Sequence, residues 1–255
     1  MVKPKKHLGQ HFLKDLSTAQ QIVDCLSFKS YMHVIEVGPG MGVLTQFLIN
    51  KAPGKLTLIE VDEESVSYIR KNFNLLHFNL IQDDFLKTNL SDFLLEPSAV
   101  IGNFPYNIST QILFRVYEHR NLIPEVVGMF QKEVAERICS LPGKKTYGIQ
   151  SVLLQSCYDC EYLFTVEPTA FNPPPKVKSG VIKLTYNPLK KIKSKESDFK
   201  KVIKTSFNQR RKTLRNALKS ILPQDKFADT MPFASKRAEE LNWQQFDELA
   251  LWIFK

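Results

Sequence analysis

Over residues 30–185, short apolar runs alternate with stretches of helical pattern. The runs at 33–37, 56–61, 78–82, 99–102, 126–130, 162–166 and 180–185 have the length and apolar density of strands buried on both faces. Candidate helices lie between the first five. Repeated strand–helix units build a mainly parallel sheet with helices on both faces. The last two runs flank "EPTAFNPPPKVKSG", which holds no helix, so they are expected to pair antiparallel at one edge of the sheet. Asn187-Pro188 and the Lys/Ser-rich stretch after it mark a domain boundary. Beyond it the period becomes helical, through Phe199, Val202, Ile203 and Phe207, then Leu214 and Leu218. Asn242, with Gln245 three residues later, reads as an N-cap pair opening a last helix whose stripe of Trp243, Phe246, Leu249 and Ile253 is core packing. The expected organisation is a domain over 1–187, with a basic N-terminal arm at 1–14, and a small all-helical domain over 188–255.

Composition bounds the class of protein. A chain of 255 residues, 43% hydrophobic and 24% charged, suits a globular domain of moderate size plus a smaller one. No apolar run reaches the roughly 18–20 residues of a membrane span. The start, "MVKPKKHLGQHFLKDL", is basic but lacks the apolar stretch of a signal peptide. A cytoplasmic monomer with no membrane partner is expected. Cys25, Cys139, Cys157 and Cys160 are too few for a disulfide framework. The lone C-x-x-C at 157–160 has no second pair of ligands to complete a zinc site. His7, His11, His33, His77 and His119 are scattered, so no metal is expected.

Charge changes the picture more. The net charge is +9, and the window 190–219 holds 12 Lys or Arg against only Glu196 and Asp198. The rest of the chain is close to neutral, apart from a small basic cluster at Lys3, Lys5 and Lys6. A basic segment on a neutral body suggests a polyanion partner. The alternative is a solvated helix face, but Arg210, Arg211 and Arg215 are Arg rather than Lys and sit beside Asn208 and Gln209, which favours phosphate contacts.

Candidate chemistry begins at "VIEVGPGMGVLTQFL", which follows the first strand and opens a helix. Gly38, Gly40 and Gly42 permit a tight turn and close approach of a ligand to the backbone. Glu60, 22 residues after Gly38 at the tip of the second strand, can accept from both hydroxyls of a ribose. The spacing is G-x-G-x-G, Val43 takes the place of the dinucleotide fingerprint's third glycine, and Pro39 stiffens the loop; all three argue against NAD. Asp83-Asp84 ends the third strand and can accept from an adenine amino group. Acids where phosphate-binding groups would stand suit S-adenosyl-L-methionine, a sulfonium cation without phosphate. Unrelated turn residues at strand ends are the bland alternative.

The fourth strand ends in "IGNFPYNIST", at the edge where that cofactor's methyl group would lie. An exocyclic amine on a nucleobase is a poor nucleophile, because its lone pair is delocalised into the ring. Two acceptors on its N–H groups would raise its electron density. The Asn103 side-chain oxygen can be one, and a main-chain carbonyl near Pro105, held by the ring's fixed φ, the other. Tyr106 offers a flat face to an extruded base, and Phe104 either packs beneath the loop or adds apolar surface. An Asx turn with Pro-Tyr packing is the alternative.

With these residues in place, the chain resembles the bacterial small-subunit ribosomal RNA adenine dimethyltransferases, known for conferring sensitivity to kasugamycin. The resemblance runs through "HLGQHFL", "EVGPGMG", "IEVD", "DDFL", "GNFPYNIST", "QKEVAERI", "FNPPPKVKSGVIKL" and "FNQRRKTLRNAL". It implies a Rossmann-like class I S-adenosylmethionine-dependent methyltransferase fold, α/β with a seven-stranded mixed sheet and a small C-terminal helical domain. It implies transfer of two methyl groups to N6 of each of two adjacent adenosines, in the hairpin loop near the 3′ end of 16S rRNA, within a pre-mature 30S subunit. By position it places His11, Leu13, Gly38, Glu60, Asp84 and Asn103 against the cofactor, Asn103, Pro105 and Tyr106 at the target amine, and Phe171 on the base's other face. Lys5, Lys6, Arg210, Arg211, Lys212 and Arg215 would meet RNA. Many relatives have Asn in place of His11, Leu or Pro in place of Phe104, and Gly in place of Asp83. Two rivals are a resistance methyltransferase acting on an adenine of 23S rRNA, and a non-catalytic assembly or transcription factor on the same fold.

Overall fold

Residues 2–223 and 230–255 are described by the structure, a computed structural model. The chain order begins β1 (Phe12–Leu13), α1 (Leu16–Asp24), β2 (His33–Val37), α2 (Thr45–Lys51), β3 (Lys55–Glu60), α3 (Glu63–Asn72), β4 (Asn79–Gln82), β5 (Ser98–Asn103), α4 (Ser109–Glu118) and β6 (Glu125–Gln131). It continues α5 (Lys132–Ile138), α6 (Ile149–Gln155), β7 (Tyr158–Val166), β8 (Phe171–Asn172), β9 (Ser179–Tyr186), α7 (Glu196–Asn208), α8 (Leu214–Ala217) and α9 (Trp243–Phe254).

Seven strands form one sheet in the order β4-β3-β2-β5-β6-β9-β7. The first five are parallel, and β9 runs antiparallel to β6 with Met129 opposite Val181. The expected strands are present, most of them a residue or more longer than their apolar runs, and the last two lie at one edge. Two short strands have no counterpart in the apolar pattern: β1 pairs antiparallel with β8, Leu13 opposite Phe171. Nor do α5 and α6. Every residue of β2 is buried, which its apolar density predicts for a central parallel strand.

The described residues divide into two compact units, 2–135 with 161–186, and 136–160 with 187–223 and 230–255. The first holds the sheet's core, including Val34, Leu58, Ile101 and Val127. The second is larger than the tail expected from sequence. It takes in 136–160 because α6 packs on α7 and α9, elements distant in the chain. Phe199, Val202, Ile203, Leu214 and Leu218 are buried there, as their spacing predicts. Asn242 caps α9: its side chain accepts from Gln245 N (2.9 Å) while Gln245 Oε1 accepts from Asn242 N (3.0 Å). No helix among the described residues is long and apolar enough to cross a membrane.

Candidate active site

The strand order reverses at β2, with β3 and β4 to one side and β5 and β6 to the other. In open parallel sheets ligands bind at such a switch point, outside the strands' carboxyl ends. A cavity of about 230 Å³ lies there. The N-terminal arm, the glycine turn after β2, Glu60, Asp83-Asp84 and the loop after β5 line it. Four acidic side chains line it, and no Lys or Arg does among the described residues. That donor set fits a cationic, phosphate-free ligand such as S-adenosylmethionine and is wrong for a dinucleotide.

The glycine turn takes its shape from three left-handed residues, with φ of +69° at Gly38, +57° at Gly40 and +78° at Gly42. Other residues adopt this region at a cost. Gly38 N donates to Ile59 O (2.9 Å) and Gly42 N to Pro39 O (2.8 Å). Glu60 is 4% exposed, and its two oxygens accept from Gly40 N and Asp62 N, both at 2.9 Å. A carboxylate has further lone pairs, so capacity for ligand hydroxyls remains. Burial raises the Glu60 pKa, and the two backbone hydrogen bonds oppose it.

Glu36 is a functional candidate that the sequence pattern does not single out. It sits within β2, 1% exposed, and lines the same cavity. Burial pushes its pKa up to about 8, partly countered by a hydrogen bond from Thr45 Oγ1 (2.7 Å) and reinforced by Glu60. The only trace in the sequence is an acid within a mainly apolar five-residue run, and its burial shows only in the fold. After β4 the two acids part roles. Asp83 accepts from Thr88 Oγ1 (2.6 Å) and Asp84 N (2.7 Å), which makes it a turn cap and holds its pKa low. Asp84 is half-buried, and its Oδ1 accepts from Leu86 N (2.9 Å).

The loop after β5 is built on Phe104. Its ring is 1% exposed, 5.1 Å from the Phe130 ring, and fills space above Gly102 and Gly128. A Cβ on Gly128 would stand 2.2 Å from that ring. Phe104 is among the residues lining the cavity, but its buried ring packs beneath the loop. Asn103 Nδ2 donates to the His11 carbonyl (3.0 Å), which leaves Oδ1 as the end able to accept. The Pro105 carbonyl accepts from Ile108 N (3.2 Å), so it belongs to the turn. Tyr106 is half-buried, its hydroxyl 2.6 Å from Ser179 Oγ, and its ring centre lies 5.6 Å from that of His11.

The arm lines the cavity from His7 to Leu13, so His11 and Leu13 both lie at it. The His11 Nδ1–H donates to the Pro173 carbonyl (2.9 Å). Three expectations need correction. Phe171 is 1% exposed in the core and does not line the cavity, because pairing β8 with β1 turns its ring inward beside Leu13. Lys5, half-buried, has its ammonium engaged by Asp62 and by Glu64 (3.3 Å), which competes with a phosphate contact. Arg210 is half-buried, donating to the carbonyls of Lys145 (2.7 Å) and Lys144 (3.4 Å) and lying 3.7 Å from Glu239. It clamps a loop. Lys6, Arg211, Lys212 and Arg215 are exposed. No group of metal-ligating side chains occurs among the described residues.

Solved structures share this architecture. A dimethyladenosine transferase from Plasmodium falciparum superposes with a TM-score of 0.79 at 24% identity, covering 94% of this chain and 96% of that one. The 23S rRNA methyltransferase ErmE does so at 0.70 and 21%, covering 94% and 99%. The fold is that of the class I S-adenosylmethionine-dependent methyltransferases. The sequence narrows this. A family model described as ribosomal RNA adenine dimethylase matches residues 1–252. The ribosomal RNA small subunit methyltransferase A of Cytophaga hutchinsonii is 56% identical over 249 residues, 97% of this chain and 96% of its own. That of Parabacteroides distasonis is 55% identical over 251 residues, 98% and 94%. The chain belongs to the ribosomal RNA adenine dimethylase family.

Proposed function

We propose that this protein transfers methyl groups from S-adenosylmethionine to N6 of two adjacent adenosines, two to each, in the hairpin loop near the 3′ end of 16S rRNA during small-subunit biogenesis. The observation that carries the proposal is the meeting, in one acid-lined cavity, of Glu60, the glycine turn and the Asn103–Tyr106 loop. Family membership and the methyltransferase A relatives support the substrate.

Glu60 would hold the ribose hydroxyls and Asp84 the adenine amino group, with Gly38 leaving the backbone open beneath. Glu36 would face the cationic end. The bound cofactor supplies an electrophilic methyl group. Asn103 Oδ1 would accept from one N–H of the target amine, and a main-chain carbonyl near Pro105 from the other, the Pro105 carbonyl itself being engaged by Ile108 N. These bonds draw the nitrogen's lone pair out of conjugation and aim it. Tyr106, tethered through Ser179, stacks on the extruded base; such stacking is worth about 1–3 kcal/mol, the scale of the unstacking cost. Most of the rate then comes from alignment and placed dipoles. Exposed Arg211, Lys212 and Arg215 would contact RNA phosphates, which position without specifying sequence.

The test is transfer from labelled S-adenosylmethionine to small subunits from cells lacking the modification, with mass spectrometry of the digested RNA. Dimethyladenosine at two adjacent positions near the 3′ end is expected. Label on large-subunit RNA alone would pass the case to the 23S-type activity, and no transfer to either RNA would favour a binding factor.

A further inference from the structure

We infer that Lys5, Gln10 and Asp62 form a clasp that positions Glu60 and Asn103 together, so that the N-terminal arm is a positioning element for methyl transfer rather than a contact for RNA. This rests on the function proposed above and assigns the arm its part in it.

Asp62 is 2% exposed. Its carboxylate takes the ammonium of Lys5, Gln10 Nε2 (3.3 Å) and Ser65 Oγ (2.8 Å). Its own N–H donates to Glu60 Oε1. The Asp62 side chain thus anchors the arm while its backbone anchors the ribose acceptor. Burial alone would raise the Asp62 pKa, but hydrogen bonds from Lys5, Ser65 and Gln10 outweigh it and keep the group ionised. Without Lys5 a buried negative charge would stand beside Glu60, and an uncompensated buried charge disturbs its surroundings strongly.

The arm carries the constraint to the second group. Lys5 N donates to Gln10 Oε1 (2.8 Å), and Leu8 N to Lys5 O (3.1 Å), which folds 5–10 into a closed bend. Gln10 is tied to Asp62, and Phe12 opens the strand paired with β8. His11 lies between these two anchors, one residue from each, and its carbonyl is the group that orients the Asn103 amide. A chain terminus ordinarily frays; here both flanks of His11 are fixed. The bond to Asn103 comes from the backbone, so it does not depend on which side chain stands at position 11.

Three variants test this: Lys5→Ala, Lys5→Arg and Gln10→Ala. Each is measured with wild type for S-adenosylmethionine Kd by calorimetry on the free enzyme, for Tm, and for kcat and KM on unmodified small subunits. Lys5→Ala is expected to raise the cofactor Kd about tenfold, the weight of one charge-assisted bond. It should lower kcat about 10- to 100-fold, as slight misplacement of a reacting group does, with subunit KM within about twofold of wild type. Lys5→Arg should restore most of both, and Gln10→Ala should move both in the same direction by less. Unchanged Kd and kcat with a raised subunit KM would make Lys5 a phosphate contact and overturn the clasp. A lower Tm with Kd and kcat intact would reduce it to packing and overturn it equally. If Lys5→Ala does not fold, Gln10→Ala, which removes one neutral donor, decides by the same readouts. Wild type that binds cofactor but leaves subunits unmethylated would strike the proposed substrate, and the Kd comparison would still decide the clasp.

Discussion

Glu36 shows how a buried acid at a proposed site can work against stability. Its pKa near 8 means that the folded protein keeps a proton which the unfolded chain, titrating near 4.5, releases. Folding stability therefore falls as pH rises from about 4.5 to about 8. Glu36→Gln keeps an acceptor for Thr45 and removes the titration, so its Tm should exceed that of wild type at pH 8 and match it near pH 5. The same charge is what a cationic ligand requires. Wild-type affinity for S-adenosylmethionine should rise with pH up to about 8, while the variant binds weakly and without pH dependence. A flat wild-type profile would remove Glu36 from the site. Asn103 carries the complementary prediction. Asn103→Ala should lower kcat by at least about 100-fold while subunit binding stays within about threefold, and retained turnover would sink the acceptor role. Asn103 and Glu60 are legible in the sequence because polar groups at the tips of apolar strands have few structural reasons to be there. Glu36 is not, because it lies inside its strand and its isolation shows only once neighbours surround it.

At the scale of elements, the basic segment 190–219 resolves into cations with different duties. Lys190 pairs with Asp159 (2.7 Å), Lys200 with Glu196 (2.7 Å), and Arg210 holds the loop at 144–145. Arg211 and Lys212 are exposed. Charge alone could not separate neighbours as close as Arg210 and Arg211, since which one turns inward depends on the carbonyls it meets. The two classes separate experimentally. Arg211→Glu with Lys212→Glu should weaken subunit binding and reduce its salt slope by about 1 for each phosphate no longer neutralised, with Tm unchanged. Arg210→Ala should lower Tm by a few degrees, the effect of roughly 1 kcal/mol, and leave the slope alone. The reverse pattern would return Arg210 to the RNA surface. Phe171 teaches the same lesson in a strand: its triple-proline context marks the segment as special, but only the pairing of β8 with β1 decides that its ring faces the core.

For the whole molecule, the division at 187 is readable from Asn187-Pro188, the lysines and the change of period, yet it is half of the story. The second unit is discontinuous, and α6, with Val152, Leu153 and Leu154 buried, packs on α7 and α9. A chain ending at residue 187 would strip those partners from α6, at a cost on the order of several kcal/mol in apolar burial. Such a truncation should be insoluble or lack fixed side-chain structure by NMR, and a soluble, cofactor-binding fragment would contradict that dependence. What the sequence by itself determined about this protein is whatever depends on local period and residue type. That covers the strands and their parallel class, the helical tail, the glycine turn, and the acids and amide at strand tips, since alternation, backbone freedom and polarity act over a few neighbours. Tertiary structure alone decided which cations are spent on internal clamps, which aromatic ring is buried, that Glu36 faces the cavity, and that the arm meets both Asp62 and Asn103. Apart from the i, i+4 pair of Lys200 with Glu196, those outcomes depend on groups about 30 to 160 residues apart in the chain, and no local pattern records a contact whose partner is chosen by the packing of the rest.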